Sequence, residues 1–126
     1  MKIAFFGDIV GKTGRKKFES SLQQYVSDEK VDFVVANAEN ATAGAGLSAN
    51  HAEDLLKMSI DCITLGDHAY DNKEIIPFLE HTKQIVRPIN YANDCPGQGW
   101  QIFSVNNKKV LVVQVLGRVF MKKKFH

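Results

Sequence analysis

Three short apolar runs recur along the chain, Ile3-Ala4-Phe5-Phe6, Phe33-Val34-Val35-Ala36 and Cys62-Ile63-Thr64-Leu65, and each stops abruptly at polar residues. The first runs into Gly7-Asp8, the second into Asn37-Ala38-Glu39-Asn40 and the third into Gly66-Asp67-His68. Runs without strict alternation predict strands buried on both faces, as in a parallel sheet. Between the first two runs, Phe18, Leu22, Tyr25 and Val26 hold the i, i+4, i+7, i+8 spacing of one helical face, which predicts a helix over 14–28 entered through a glycine-punctuated turn. Strands over 2–6 and 32–36 on either side of that helix imply a right-handed parallel crossover. Ser48 is placed to cap a second helix that runs to about residue 59 and turns Ala52, Leu55 and Leu56 inward; a third strand, 61–65, follows.

Further on, Asp71 with Glu74 three residues later is the capping pattern of a short helix, which Pro77 should kink or shorten. Residues 85–87, before Pro88, predict a short fourth strand, and 90–99 an irregular stretch marked by Pro96, Gly97 and Gly99. The runs 101–105 and 109–116 predict an antiparallel hairpin with Asn at its turn, extending the sheet. The fold class is α/β: a mainly parallel sheet flanked by helices in a three-layer core. The loop 37–47 is long for an ordinary connection, which favours a functional role.

Composition narrows this picture without changing it. A chain of 126 residues supports one domain with a real core. A formal net charge of +2 argues for neither nucleic acid nor membrane, and no apolar run approaches membrane-spanning length. Cys62 and Cys95 form no CxxC pair, so reduced thiols and a soluble, cytoplasmic protein are expected. Lys122-Lys123-Lys124 reads as a solvated tail.

The chemistry gathers at the strand tips. Gly7-Asp8-Ile9-Val10-Gly11-Lys12-Thr13 superficially resembles a phosphate-binding P-loop, but only three residues separate Gly7 from Gly11-Lys12-Thr13, where the cradle needs four, and an Asp inside it would repel phosphate. Asp8 reads equally as a metal ligand and as a carboxylate facing the next helix. Glu39-Asn40 says more, because a carboxylate beside an amide at a buried strand end is unfavourable unless paired or metal-bound, and such oxygens suit Mg, Mn or Fe. Asp67 adds a third carboxylate, and His68 an imidazole able to move a proton near neutral pH. Asp8, Glu39, Asn40, Asp67 and His68 are therefore expected on one rim of the sheet, where open parallel sheets bind ligands. His51, His81 and His126 are assigned no chemistry.

The spaced motifs Gly7-Asp8-Ile9-Val10-Gly11, Asn37-Ala38-Glu39-Asn40 with Gly44 and Gly46, Gly66-Asp67-His68, Asp71-Asn72-Lys73-Glu74, Arg87-Pro88-Ile89-Asn90-Tyr91 and Gly117-Arg118 together resemble the YmdB-type branch of the calcineurin-like metallophosphoesterases, in register over nearly the whole chain. The resemblance implies a metal-dependent phosphodiesterase acting on phosphodiesters such as 2',3'-cyclic nucleotides, RNA-derived ones included, with an α/β sandwich and two divalent ions. It further implies that Asp8 binds the first ion, Glu39 bridges both, Asn40 lies beside them, residue 67 binds the second, and His68 is the acid near the leaving group.

Two departures accompany it. The family has Asn where this chain has Asp67, and the family continues into a second half that supplies histidine ligands. Residues 1–126 then form a single domain that is the N-terminal part of a metallophosphoesterase domain, holding one ion or none alone and completed by a C-terminal half or by self-association. The alternative is a truncated, catalytically incomplete fragment that binds metal or phosphate.

Overall fold

A computed structural model describes residues 1–119 and Met121; the Lys122–Lys124 cluster and His126 lie outside the described residues. Four parallel strands, β1 (Ile3–Phe6), β2 (Phe33–Asn37), β3 (Cys62–Thr64) and β4 (Ile85–Val86), lie side by side in chain order. Helices α1 (Gly11–Glu29), α2 (Ala49–Lys57) and α3 (Ile75–His81) connect them. Right-handed crossovers that all advance in one direction put every helix on one face of the sheet. There Phe18 and Leu22 of α1, Ala52 and Leu55 of α2, and Ile75 and Leu79 of α3 pack on Val34, Ala36, Ile63 and Ile85.

The opposite face is left without helices, and this is why the hairpin does not extend the sheet as its sequence suggested. Strands β5 (Trp100–Val105) and β6 (Lys108–Val113) form a separate two-stranded sheet. Phe103, Val105, Val110 and Val112 pack on Phe33, Val35, Cys62 and Val86, burying this second face, and only the flanks of the hairpin bridge the sheet edge, at Val86–Gln98 and Pro88–Gln114. The third layer is β-structure rather than helix. The turn between them is the pair Asn106-Asn107, both at positive φ (48° and 60°), the signature of a two-residue hairpin loop.

Two local expectations change. Helix α1 starts at Gly11 rather than at residue 14, because Gly11 N–H donates to the Asn40 carbonyl (2.9 Å) and Gly14 N–H to Val10 (3.0 Å), a tertiary start that periodicity does not register. Asp71 does not cap α3, whose N-cap is Glu74 without a side-chain bond. Pro77 falls in the first turn of α3, where its missing N–H is not needed, and the helix is short as expected, seven residues from Ile75 to His81. Ser48 does cap α2, accepting from His51 N–H at 3.3 Å.

Thr64 is buried on β3 with its hydroxyl lacking a partner among the described residues. Such a group opposes folding, so Thr64→Val should raise stability by about 1 kcal/mol. An upward shift of the urea midpoint at unchanged m-value would show it; a lower midpoint would mean that the hydroxyl has a partner.

Candidate functional site

The C-terminal tips of β1, β2 and β3 open on one rim. Parallel register aligns Phe6 with Ala36 and Asn37 with Thr64, so the residues just beyond emerge side by side. The backbone beyond β2 is held from both flanks, Ile9 N–H donating to Asn37 O (2.9 Å) and Ala38 N–H to Thr64 O (3.1 Å). All five residues expected at the rim are found there. Asn40 Nδ2 donates to Asp8 Oδ1 at 2.8 Å, and the backbone N–H of His68 approaches Glu39 Oε2 at 3.5 Å. His68 Nε2 lies 3.8 Å from Asp67 Oδ2. Asp8 adopts φ 41°, a left-handed conformation that Asp tolerates better than most residues and that collects at functional sites.

The electrostatics are those of neighbouring carboxylates, one of them partly desolvated. Burial pushes the pKa of Glu39 up, against the Asn37 amide and the His68 N–H that hold it down, and the neighbouring Asp67 carboxylate pushes it up further. His68 is also raised, chiefly by its hydrogen bond to Asp71 (Nδ1···Oδ2 2.6 Å), with Asp67 and Glu39 adding negative charge. Asp71 was missed as a site residue because its spacing to Glu74 suits a cap equally well; its i, i+3 relation to His68 was the available signal.

Two further residues shape the site without reacting. Gly66 leaves room for Glu39, since a Cβ there would overlap the Glu39 carboxylate. Tyr91 donates its hydroxyl to the Asp67 carbonyl (3.2 Å), seating the third tip, and burial lifts its pKa to about 12. Their sequence signals, a glycine before Asp67 and an aromatic after Arg87-Pro88, do not reveal these contacts.

The oxygen donors Asp8, Glu39, Asn40 and Asp67 fit divalent ions in kind, and the desolvated Glu39 carboxylate beside Asp67 fits a cation there. In number they fall short: among the described residues no group of three or more His, Cys, Asp or Glu side chains could hold an ion.

The His68–Asp71 pair carries a pH signature. Because the folded pKa of His68 lies above its ordinary 6.5, the pair's stabilisation is complete below that value and is lost as pH rises through the folded pKa. The thermal midpoint should therefore fall as pH rises above 6.5, and Asp71→Asn should flatten the fall. An unaltered slope in the variant would show that the pair contributes nothing.

Comparisons with known proteins agree with the motifs. The family model described as YmdB-like protein matches residues 4–126. The chain is 35% identical over 121 residues to a Bacillus subtilis protein named 2',3'-cyclic-nucleotide 2'-phosphodiesterase, covering 96% of this chain and 46% of that protein. It is 36% identical to a Mycoplasma pneumoniae protein named as a phosphatase/phosphodiesterase, covering 93% and 43%. A crystal structure of a hypothetical protein from Thermus thermophilus superposes with a TM-score of 0.91 at 34% identity, over all of this chain and 49% of that one. The structure of a novel phosphatase from Mycoplasma pneumoniae gives 0.87 at 36% identity, over 93% and 43%. The chain spans about half the length of the curated relatives it matches. A match from residue 4 to the end of the chain, with the rim motifs in place, makes this chain a member of the YmdB-like family.

Proposed function

We propose that this chain contributes one side of the active site of a metal-dependent phosphodiesterase acting on 2',3'-cyclic nucleotides. The observation that carries the reading is the placement of Asp8, Glu39, Asn40 and Asp67 along one rim of the sheet, beside a histidine held by Asp71. Asp8 and Asn40 would hold one divalent ion and Asp67 a second, with Glu39 between them. Such ions, Fe, Mn or Mg, supply neutralisation of the phosphoryl oxygens and a lowered pKa for the attacking water. Asp71 fixes the His68 ring by accepting from Nδ1, which leaves Nε2 to give a proton to the departing sugar oxygen.

The rest of the site belongs to a second half or a second copy. The outer face of the hairpin supports this, since the paired residues Trp100 and Val113, and Ile102 and Leu111, stand 42–58% exposed as a continuous apolar surface. Free Cys62 and Cys95 favour a reducing compartment, and we place the protein in the cytoplasm. No helix among the described residues is long and apolar enough to cross a membrane.

Product analysis tests the reaction. The completed site with Mn²⁺ should open 2',3'-cyclic AMP at the 2' oxygen and leave the 3'-monophosphate, seen by chromatography; accumulation of the 2'-monophosphate would reject the reading. The second reading, a non-catalytic fragment that binds metal or phosphate, is favoured by the absence of a three-ligand group among the described residues.

A further inference from the structure

We propose that the cleft between α1 and α2 binds the sugar–phosphate backbone of a single-stranded nucleic acid. The cleft encloses about 610 Å³, and its charged lining is Lys12, Arg15, Lys16 and Lys57 against Glu19 and Asp54. Lys57 is already engaged, 3.9 Å from Asp54 and 3.8 Å from Glu53. Lys12 and Lys16 are exposed and make no ion pair among the described residues. The cleft therefore carries surplus positive charge on two long, exposed side chains.

This charge adjoins the rim. The Arg15 guanidinium donates to the Ala41 carbonyl, Gly11 N–H donates to the Asn40 carbonyl, and Thr42 Oγ1 lies 2.8 Å from Nδ1 of His51 on the cleft wall. The segment 40–42 thus ties Arg15 and His51 of the cleft wall to the Asp8–Asn40 side of the site. Helix stability does not account for the charges: α1 has no acidic residue in its first turn and no basic residue in its last, the reverse of what its dipole favours.

The lining also limits the mode of recognition. Among the described residues no Phe, Tyr or Trp lines the cleft, so binding follows phosphate charge with little regard to sequence. The choice of a nucleic acid over an acidic protein segment rests on the phosphodiesterase reading, but the test reads binding rather than turnover.

Fluorescence anisotropy of a labelled single-stranded 12-mer RNA, titrated with the 126-residue chain over a salt series, decides it. The Lys12→Gln/Lys16→Gln variant should bind about 10-fold more weakly at low salt, and its log–log salt slope should be shallower by about 1.4, two lost phosphate contacts at about 0.7 each. The Lys108→Gln/Lys109→Gln variant on the hairpin should bind as the parent does. Unchanged affinity in the first variant, an equal loss in the second, or tighter binding of polyglutamate than of RNA would overturn the proposal. A completed protein that fails to hydrolyse cyclic nucleotides would defeat the proposed function and leave this result standing.

Discussion

Hydrolysis of a 2',3'-cyclic nucleotide should remain at background for the 126-residue chain alone and rise at least about 10²-fold when a matching C-terminal half is added, because positioned acid–base groups act only once the substrate is held. The rim explains the deficit. Its donors divide between the Asp8–Asn40 side and the Glu39–Asp67 side, and no three acidic or histidine side chains among the described residues converge on one point. Exposed Trp100, Ile102, Leu111 and Val113 offer the surface on which the added half would seat. In the completed protein His68→Ala should lower kcat by about 10²–10⁴-fold, the usual worth of a positioned general acid. Robust turnover by the chain alone, abolished by His68→Ala, would mean that the site is complete without a partner.

Gly66→Ala should abolish that restored hydrolysis while leaving the fold nearly intact. The added methyl would meet the Glu39 carboxylate, the free end of a flexible side chain that can swing aside, and Gly66 shows no positive φ that would forbid a side chain. The expected stability change is below about 1 kcal/mol, since the relieved desolvation of Glu39 offsets part of the crowding. A 1 Å displacement of a catalytic group is worth about 10²-fold in rate. Gly99→Ala is the contrast, because a Cβ there would lie 2.6 Å from Ile89 Cα, a backbone atom that cannot swing away, so it should destabilise the fold itself. Activity retained in Gly66→Ala would show that the position of Glu39 does not matter.

The parallel strands and their polar tips were readable because buried parallel strands carry their own signature in unbroken apolar runs, and each tip follows its strand directly. Ser48 and the Asn106-Asn107 turn were readable for the same local reason. Contacts between distant segments were not. Helix α1 begins early because Asn40 receives Gly11, and the hairpin stacks on the sheet because one-directional crossovers leave Phe33, Val35 and Cys62 uncovered. Asp71 shows the limit most clearly, since one spacing serves both a helix cap and a histidine partner, and only the fold selects the 2.6 Å bond to His68.

The central claim is that this chain carries half of a two-ion site, and counting bound Mn²⁺ tests it most directly. Metal analysis after gel filtration should find at most one weakly held ion on the 126-residue chain, two per complex once the C-terminal half is bound, and fewer than two when Glu39→Ala removes the proposed bridge. Two tightly held ions on the chain alone, or none on the complex, would contradict the account.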